Sequence, residues 1–586
     1  MSLHEQLVGK NLLDQKKQLL SKKANIKLSK NSKFEVNNFT SIVKNKQNYL
    51  SVEKQGLTYF KNAKSDLGNY LVAAEEFSSS YVNDSIKRIK YILRKDPHFE
   101  AAHGLFLKIL LKLDLWKGIG KISKRAVKYH PKNEFFLNIF ARHLIKVGEK
   151  KKALIYHEKC VELNPRSYDS WLALGNCHYI CRNLEKALFC LEKSKKIDKF
   201  MTDSAIMLEC NILQAHSKYN EAIEKLKVGI QMFPLSKQLT IALAITNLKI
   251  GNKEEGFKYY NLIDSSRRTN LVNLVEYKLK NKTKKPKNEI AKLNLVNDIE
   301  ELNKNALFSK KKYNLLILFE QGFGDYLHFY RYIQPLLKLG HSITALGPNK
   351  AVFSLLKYSK DSQSIKFCSK IQNEDVKNFH YKTFIMNIPF LIGNINNTPP
   401  PPIFDLDKLK NDKKRLLKKI KSFTDIRKNN IGVSWKGNKE HISDISRSIK
   451  LKDFSKIFGN KNCKFFIVDK NLKAYEKKYL SSFNNVVICD DLIDDWADTA
   501  VIVLALDQII TVDTSLGHIA GTLCKPTKIL VAKDPDWRWG VEGKKTEWYH
   551  TVELIRQSKA DCWKKELKSF FLKLEFSILL IILISK

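Results

Sequence analysis

The feature that most constrains this chain is a 34-residue period in its first half. Pro97, Pro131 and Pro165 stand 34 apart, and Pro234 lies 69 further on, two periods with one inserted residue. A second column, Ala153, Ala187, Ala222 and Gly256, runs at spacings of 34, 35 and 34. Each small residue follows a turn and a charged helix start, as in Arg182-Asn-Leu-Glu-Lys-Ala187. Small residues let two antiparallel helices touch, and a proline stops the second helix because it lacks the N–H the ladder needs. One such pair cannot bury its apolar face, whereas four or five stacked pairs share a continuous core. Residues 81–265 are therefore read as a helical solenoid. A basic helical region, 1–80, precedes it, and a Lys/Asn-rich helical connector, 266–312, follows.

Composition narrows the function classes. At 586 residues the chain is too long for one core. Hydrophobic residues at 44% and charged ones at 28% exclude wholesale disorder and a polytopic membrane protein. Lys+Arg 103 against Asp+Glu 60 leaves +43, an excess that could draw nucleic acid, anionic lipid or phosphorylated substrates. The lysines are spread with Asn and Ile along the whole chain, which reads as biased coding composition, and no nucleic-acid motif is present. No specific nucleic-acid partner is expected.

The ten cysteines fall at irregular spacings. Cys177, His178 and Cys181 share one predicted helix with no second cluster to complete four ligands, so the cysteines read as small buried thiols in a reducing cytosol and no metal is expected. Met1 to Lys23 has no apolar core and is not a secretory signal. The apolar run Phe576 to Ile584, in a tail at 573–586, is about half of the roughly 20 residues a spanning helix needs. A cytoplasmic location is the default, with peripheral contact at an anionic inner membrane face as its extension.

From Tyr313 the texture changes to short apolar runs followed by Gly- or Asp-containing turns and helices. Predicted strands are 314–319, 342–346, 383–386, 430–434, 464–468, 486–488, 508–512 and 527–531, with an amphipathic helix from near Tyr326. Strands alternating with helices imply doubly wound α/β architecture. Thr398-Pro-Pro-Pro-Pro402 breaks it into an N-terminal lobe, 313–397, a Pro-rich linker and helix, 398–428, and a C-terminal lobe, 429–572. The cleft between two such lobes is the natural active site.

Gly322 and Gly324 follow the first strand, but the third glycine of a dinucleotide fingerprint is replaced by Leu327, and no Walker lysine is present. The two glycines allow a tight turn with backbone close to a ligand. Asp325 beside them is either a helix N-cap, worth roughly 1 kcal/mol, or a general base facing the cleft. Both readings stand. In the C-terminal lobe Asp513-Thr-Ser-Leu-Gly-His-Ile-Ala-Gly521 runs from a strand into a helix, whose N-terminal N–H groups and hydroxyls suit a diphosphate. His518 can donate to a phosphate or leaving-group oxygen, whereas Asp513 repels phosphate and better holds the loop or binds hydroxyls. A capped turn with a buried histidine is the structural alternative. Trp171 reads as a core aromatic; Trp435, Trp537 and Trp539 read as pocket or core.

Trp171, Leu174, Gly175 and His178, with Ala187, Leu191 and Ser194, resemble the tetratricopeptide repeat (TPR). The segments Phe319-Glu-Gln-Gly-Phe-Gly-Asp-Tyr-Leu-His-Phe-Tyr-Arg-Tyr332, Gly432-Val-Ser-Trp-Lys-Gly-Asn438, Ser446-Arg-Ser-Ile449, Val512 to Gly521 and Pro535-Asp-Trp-Arg-Trp539 resemble bacterial TPR proteins with a heptosyltransferase-like domain of glycosyltransferase family nine. The resemblance spans roughly 313–560. It implies a TPR solenoid followed by an α/β domain of GT-B type with two Rossmann-like lobes. It also implies metal-independent transfer of a sugar from a nucleotide-diphosphate sugar, a substrate rather than a cofactor, to a glycan, lipid-linked glycan or protein hydroxyl.

On this resemblance Asp325 matches the catalytic Asp. Lys436 matches a phosphate-facing position, and Asp513, Thr514, Ser515, Gly517 and His518 match the donor loop. Gly322, Gly324, His328, Arg447 and Arg538 are further donor or acceptor contacts, although a surface or structural ion pair is the favoured reading of the two arginines. Two departures stand out: Ser515 occupies a frequent glycine position, and the N-terminal lobe is short. The competing reading is a TPR interaction protein with a degenerate transferase domain. In either case the solenoid offers its surface to a protein partner or an acceptor.

Overall fold

A computed structural model of the chain describes residues 66–79, 81–199, 201–262, 299–319, 322–347, 350–369, 371, 376–393, 397–438, 444–559 and 562–568. The apolar tail, most of the 1–80 region and most of the 266–312 connector lie outside the described residues. The chain divides into two compact units, 1–197 and 198–586.

In the first unit the described residues form four helical pairs: α1 (Asp66–Ser78) with α2 (Val82–Lys95), α3 (Glu100–Lys112) with α4 (Trp116–Tyr129), α5 (Glu134–Lys146) with α6 (Lys150–Leu163), and α7 (Tyr168–Ile180) with α8 (Leu184–Ile197). Among the described residues the helical pairs thus start at Asp66, ahead of the boundary placed at residue 81. Ala153 and Ala187 are completely buried, as close helix contact requires. The pair of Ala153 ends at Leu163, two residues before Pro165, whereas that of Ala187 ends at Ile197, where Lys199 stands at the proline position. Trp171 departs from its core reading. It is half-buried, donates from Nε1 to the Pro165 carbonyl at 2.9 Å and meets Phe189 edge-on. Cys177 is buried, and burial pushes its thiol up to about 12.

A third column lies in the turns inside the pairs. Asp114, Gly148 and Arg182 have φ of 53°, 87° and 63°, and Ser217 and Gly251 in the second unit have 62° and 87°. Gly148, Arg182, Ser217 and Gly251 each stand five before a member of the small-residue column, and Asp114 stands five before Ile119. The left-handed conformation is set by the helix-to-helix turn, so residues other than glycine there adopt it at a cost of about 1–2 kcal/mol.

The second unit opens with two more pairs, α9 (Asp203–Ala215) with α10 (Tyr219–Met232) and α11 (Lys237–Lys249) with α12 (Lys253–Asn261). Two parallel sheets follow. The first joins β1 (Asn314–Leu318), β2 (Ser342–Leu346), β3 (Ile365–Cys368) and β4 (Tyr381–Phe384) in the order β3-β2-β1-β4. The second joins β5 (Asn429–Ser434), β6 (Cys463–Ile467), β7 (Val486–Ile488), β8 (Gln508–Val512), β9 (Thr527–Val531) and β10 (Val552–Arg556) in the order β10-β9-β8-β5-β6-β7.

The central strands of the second sheet are apolar on both faces because both are covered. Ile509 and Ile529 enter one core, Val433, Ile510 and Leu530 the other. β3 and β10 were not among the predicted strands, and β4 starts two residues before its predicted position. Residues 299–312 depart from the helical connector. Leu302 donates to Lys382 at 2.7 Å and Lys382 to Glu300 at 2.8 Å, so this stretch extends the edge of the first sheet, with a short helix at Lys304–Leu307. Four helices position the site: α13 (Phe323–Tyr330), α14 (Ala474–Leu480), α15 (Trp496–Ala505) and α16 (Ser515–Thr522).

Candidate functional site

Parallel α/β sheets bind ligands outside the carboxyl ends of their strands, where the strand order reverses. The first sheet reverses between β1 and β4, the second between β5 and β8. The turns singled out in the sequence leave the ends of β1, β5 and β8, and so stand at these two switch points.

The lobes meet at those turns. α13 starts at Phe323, three residues earlier than expected, with Gly322 as its N-cap. Gly324 lies directly against α16: a Cβ there would sit 2.9 Å from His518 Cδ2 and 3.6 Å from Ser515 Cα. Only glycine permits that approach. Beside it Phe323 stacks on Trp496 of the other lobe at 4.1 Å and 3°.

Asp325 is not the N-cap. It is the third helical residue, and its Oδ2 accepts from the Gly322 N–H at 3.1 Å. Its Oδ1 accepts from Arg538 Nη2 across the seam. Arg538 also donates from Nη1 to Asp536 at 2.7 Å, and its guanidinium lies 4.5 Å from the Trp537 ring centroid. Burial alone would lower the Arg538 pKa, but Asp325 and Asp536 raise it above its ordinary value. Arg538 therefore ties the two lobes through a pair of carboxylates, in line with the structural ion pair favoured for it.

His518 and His328 are brought together, one from each lobe, 5.5 Å apart and edge to face. Tyr549 serves both: its hydroxyl lies 3.0 Å from His518 Nδ1 and 3.4 Å from His328 Nδ1. Gly521 makes room for it, since a Cβ there would reach 2.5 Å from the Tyr549 ring. Burial, reinforced by nearby arginines, lowers His518 to about 3 and His328 well below 6.5. Both are neutral at pH 7. His518 also stacks on Trp539 and faces Tyr549 and the N-terminal lobe.

On the donor loop Thr514 is the N-cap of α16, its hydroxyl 3.0 Å from that of Thr511, and Ser515 is the first helical residue. Gly517 packs on the sheet, where a Cβ would meet Ile529 at 2.8 Å. Arg447 donates to the Asp513 carbonyl at 3.0 Å, and Gly437 is the glycine that lets the guanidinium pass. Burial, aided by the charge of Asp536 and opposed by Arg447 and Arg538, pushes Asp513 up to about 6. Burial also acts to raise Asp536, but Arg538 holds it below the usual carboxylate range.

Lys436 is engaged away from this group. Its Nζ lies 2.6 Å from Glu476 of α14, which also accepts from the Lys473 N–H. Next to it Ser434 donates to Asp469 at 2.7 Å, and burial pushes Asp469 up to about 7. Trp435, Trp537 and Trp539 are all buried, so none is an open pocket wall.

Several residues of the seam were not singled out from the sequence: Tyr549, Trp548, Trp496, Asp536 and Arg331. Arg331 and Asp536 lie in segments that carry the family resemblance. Arg331 is buried and donates to the carbonyls of His328, Pro399 and Trp548. For Asp536, Trp548 and Tyr549 the signal was the aromatic density of 535–549. Among the described residues no cluster of His, Cys, Asp and Glu could hold a metal, and no helix is long and apolar enough to cross a membrane.

No protein-family model and no curated protein matches the chain. It is similar to the solved structure of TTC0263, a thermophilic TPR protein of Thermus thermophilus, at 14% identity over 31% of this chain and 100% of that one, with a TM-score of 0.27. It is similar to YrrB, a TPR protein with an unusual peptide-binding site, at 17% identity over 32% of this chain and 94% of that one, TM-score 0.27. For PilW, a widely conserved type IV pilus biogenesis factor, the values are 15%, 33%, 90% and 0.30. Overlaps this small carry no weight of their own. The helix pairs and their three columns make residues 66–261 a TPR-like repeat region, followed in sequence by a parallel α/β region.

Proposed function

We propose that residues 299–568 form a GT-B-type glycosyltransferase domain that moves a sugar from a nucleotide-diphosphate donor to a hydroxyl. The observation that carries this reading is the meeting of two switch-point turns at Gly324 and His518, with Asp325 at the seam. The donor diphosphate would lie at the N-terminus of α16, beside Thr514 and Ser515. An acceptor hydroxyl would attack the anomeric carbon as the bond to the diphosphate oxygen breaks. The proton would pass to Asp325, and the electron pair would leave with the nucleoside diphosphate.

Arg538 occupies Oδ1 of the Asp325 carboxylate and the Gly322 N–H occupies Oδ2. Asp325 therefore acts only after Arg538 has shifted, for instance toward the departing diphosphate. Lys436 would have to leave Glu476 in the same way to reach phosphate. The neutral imidazole of His518 would orient the loop through Tyr549.

The second reading, a repeat protein whose transferase lobes are inert, is favoured by the same ion pair and by the direct contact at Gly324. The repeat surface would then carry the function by binding a protein partner. A thermal-shift screen of the full chain against nucleotide sugars separates the two. A donor at 100 times its Kd adds about 2.7 kcal/mol, whereas an inert domain gives no shift with any of them.

A further inference from the structure

We propose that the last helical pair, α11 and α12, belongs to the interlobe site: it braces both lobes through Phe257, and through Lys253 and Trp548 it positions Arg538 against Asp325. Phe257 is completely buried. Its ring lies 6.2 Å from Phe329 of the N-terminal lobe and 5.9 Å from Trp537 of the C-terminal lobe, edge-on to both. Tyr260, one turn later, places its hydroxyl 3.2 Å from Met386 Sδ of the N-terminal lobe. Leu248, Phe257 and Tyr260 share one apolar core with residues of both lobes.

Two buried lysines fasten the other side. Lys249 Nζ lies 2.7 Å from Asp534, and Lys253 Nζ lies 2.5 Å from Glu547 and 3.0 Å from Thr398 Oγ1 in the linker. A solvated solenoid end has no use for buried ammonium groups, which are rare unless paired. Here both are paired, and both carboxylate partners are on the C-terminal lobe.

The positioning runs through one indole. Lys253 Nζ sits 4.9 Å from the Trp548 ring centroid. That ring meets His328 of α13 at 4.3 Å, and its Nε1 donates to the Arg538 carbonyl at 2.7 Å. Arg538 in turn holds Asp325. One cation–ring contact and two hydrogen-bonded links thus connect the last repeat to the candidate base.

Only the meaning of Asp325 rests on the glycosyl-transfer reading; the brace does not. Hydrogen–deuterium exchange of the full chain tests it without any donor. Phe257→Ala should speed exchange about tenfold or more in 323–338 and 535–549 together, with β8 and the first unit unchanged. Phe257→Leu should give a smaller effect of the same pattern and serves if the Ala variant does not fold. Lys253→Met should loosen 537–549 and 322–331, and Lys253→Arg should restore both, because it keeps the charge over the indole. Faster exchange confined to 253–261, a uniform rise that includes β8, or failure of Arg to rescue would overturn the proposal. The expected exchange pattern together with no sugar transfer by the wild-type chain would instead count against the enzyme reading alone.

Discussion

Arg538 of the C-terminal lobe holds Asp325 of the N-terminal lobe, and Asp325 at the same time caps the Gly322 N–H. One carboxylate thus closes a helix turn and a lobe interface together. Asp325→Asn keeps an acceptor for Gly322 but takes the counter-charge from a guanidinium whose side chain is 9% exposed. Asp536 remains as its partner. The Asn variant should lose roughly 1–3 kcal/mol of stability, measured by denaturant titration. An ordinary cap replacement, by comparison, would leave stability nearly unchanged.

Arg182→Gly should stabilise the first unit. Arg182 holds φ of 63°, a conformation that costs a side-chain residue about 1–2 kcal/mol and glycine little. Glycine gives back part of the gain as backbone entropy in the unfolded chain. A net rise of about 0.5–1 kcal/mol is expected from denaturant unfolding, and the same change at an exposed mid-helix site such as Lys193 should destabilise.

Ala187→Phe should act in the opposite direction. Ala187 is completely buried where α7 and α8 touch, so a ring there overpacks the contact and should cost roughly 1–3 kcal/mol. The check is a lowered denaturation midpoint with an unchanged slope.

Much of this architecture could be read in the sequence because its signals are local. The proline and alanine columns mark helix ends and close contacts within single repeats, and continuous apolar runs mark the buried strands β1, β8 and β9. The turn column was hidden, since Asp114, Arg182 and Ser217 do not announce a left-handed conformation that the surrounding pair imposes. β3 and β10 were hidden because they are edge strands, whose polar residues Lys366, Glu553 and Arg556 break the apolar run. Asp325, His328, His518 and Arg538 could be picked out as a group, but not their pairing across 213 residues of chain or the sharing of Tyr549. Contacts between lobes leave no period to read.

Asp469→Asn should stabilise the second unit in a pH-dependent way. Burial raises the folded-state pKa of Asp469 from 3.8 to about 7. The unfolded chain therefore releases its proton first, and wild type loses stability from about pH 4 up to pH 7. Asn, which can still accept from Ser434, removes that loss. The variant should match wild type near pH 4 and exceed it above pH 7, by on the order of 4 kcal/mol. His518 and His328 act in the opposite sense, since burial keeps them neutral while the unfolded chain takes up protons below 6.5. The difference between variant and wild type at pH 5 and pH 8 isolates Asp469.

Glycosyl transfer through Asp325 is tested most directly by release of nucleoside diphosphate by the full chain with the sugar donor and acceptor that stabilise it, beside calorimetric binding of that donor to Asp325→Asn. Wild type should turn over, the variant should be slower by about 100-fold or more, and donor affinity should stay within a few-fold. Equal turnover by wild type and variant would contradict the role given to Asp325. If no nucleotide sugar binds or is consumed, the glycosyltransferase reading itself is wrong.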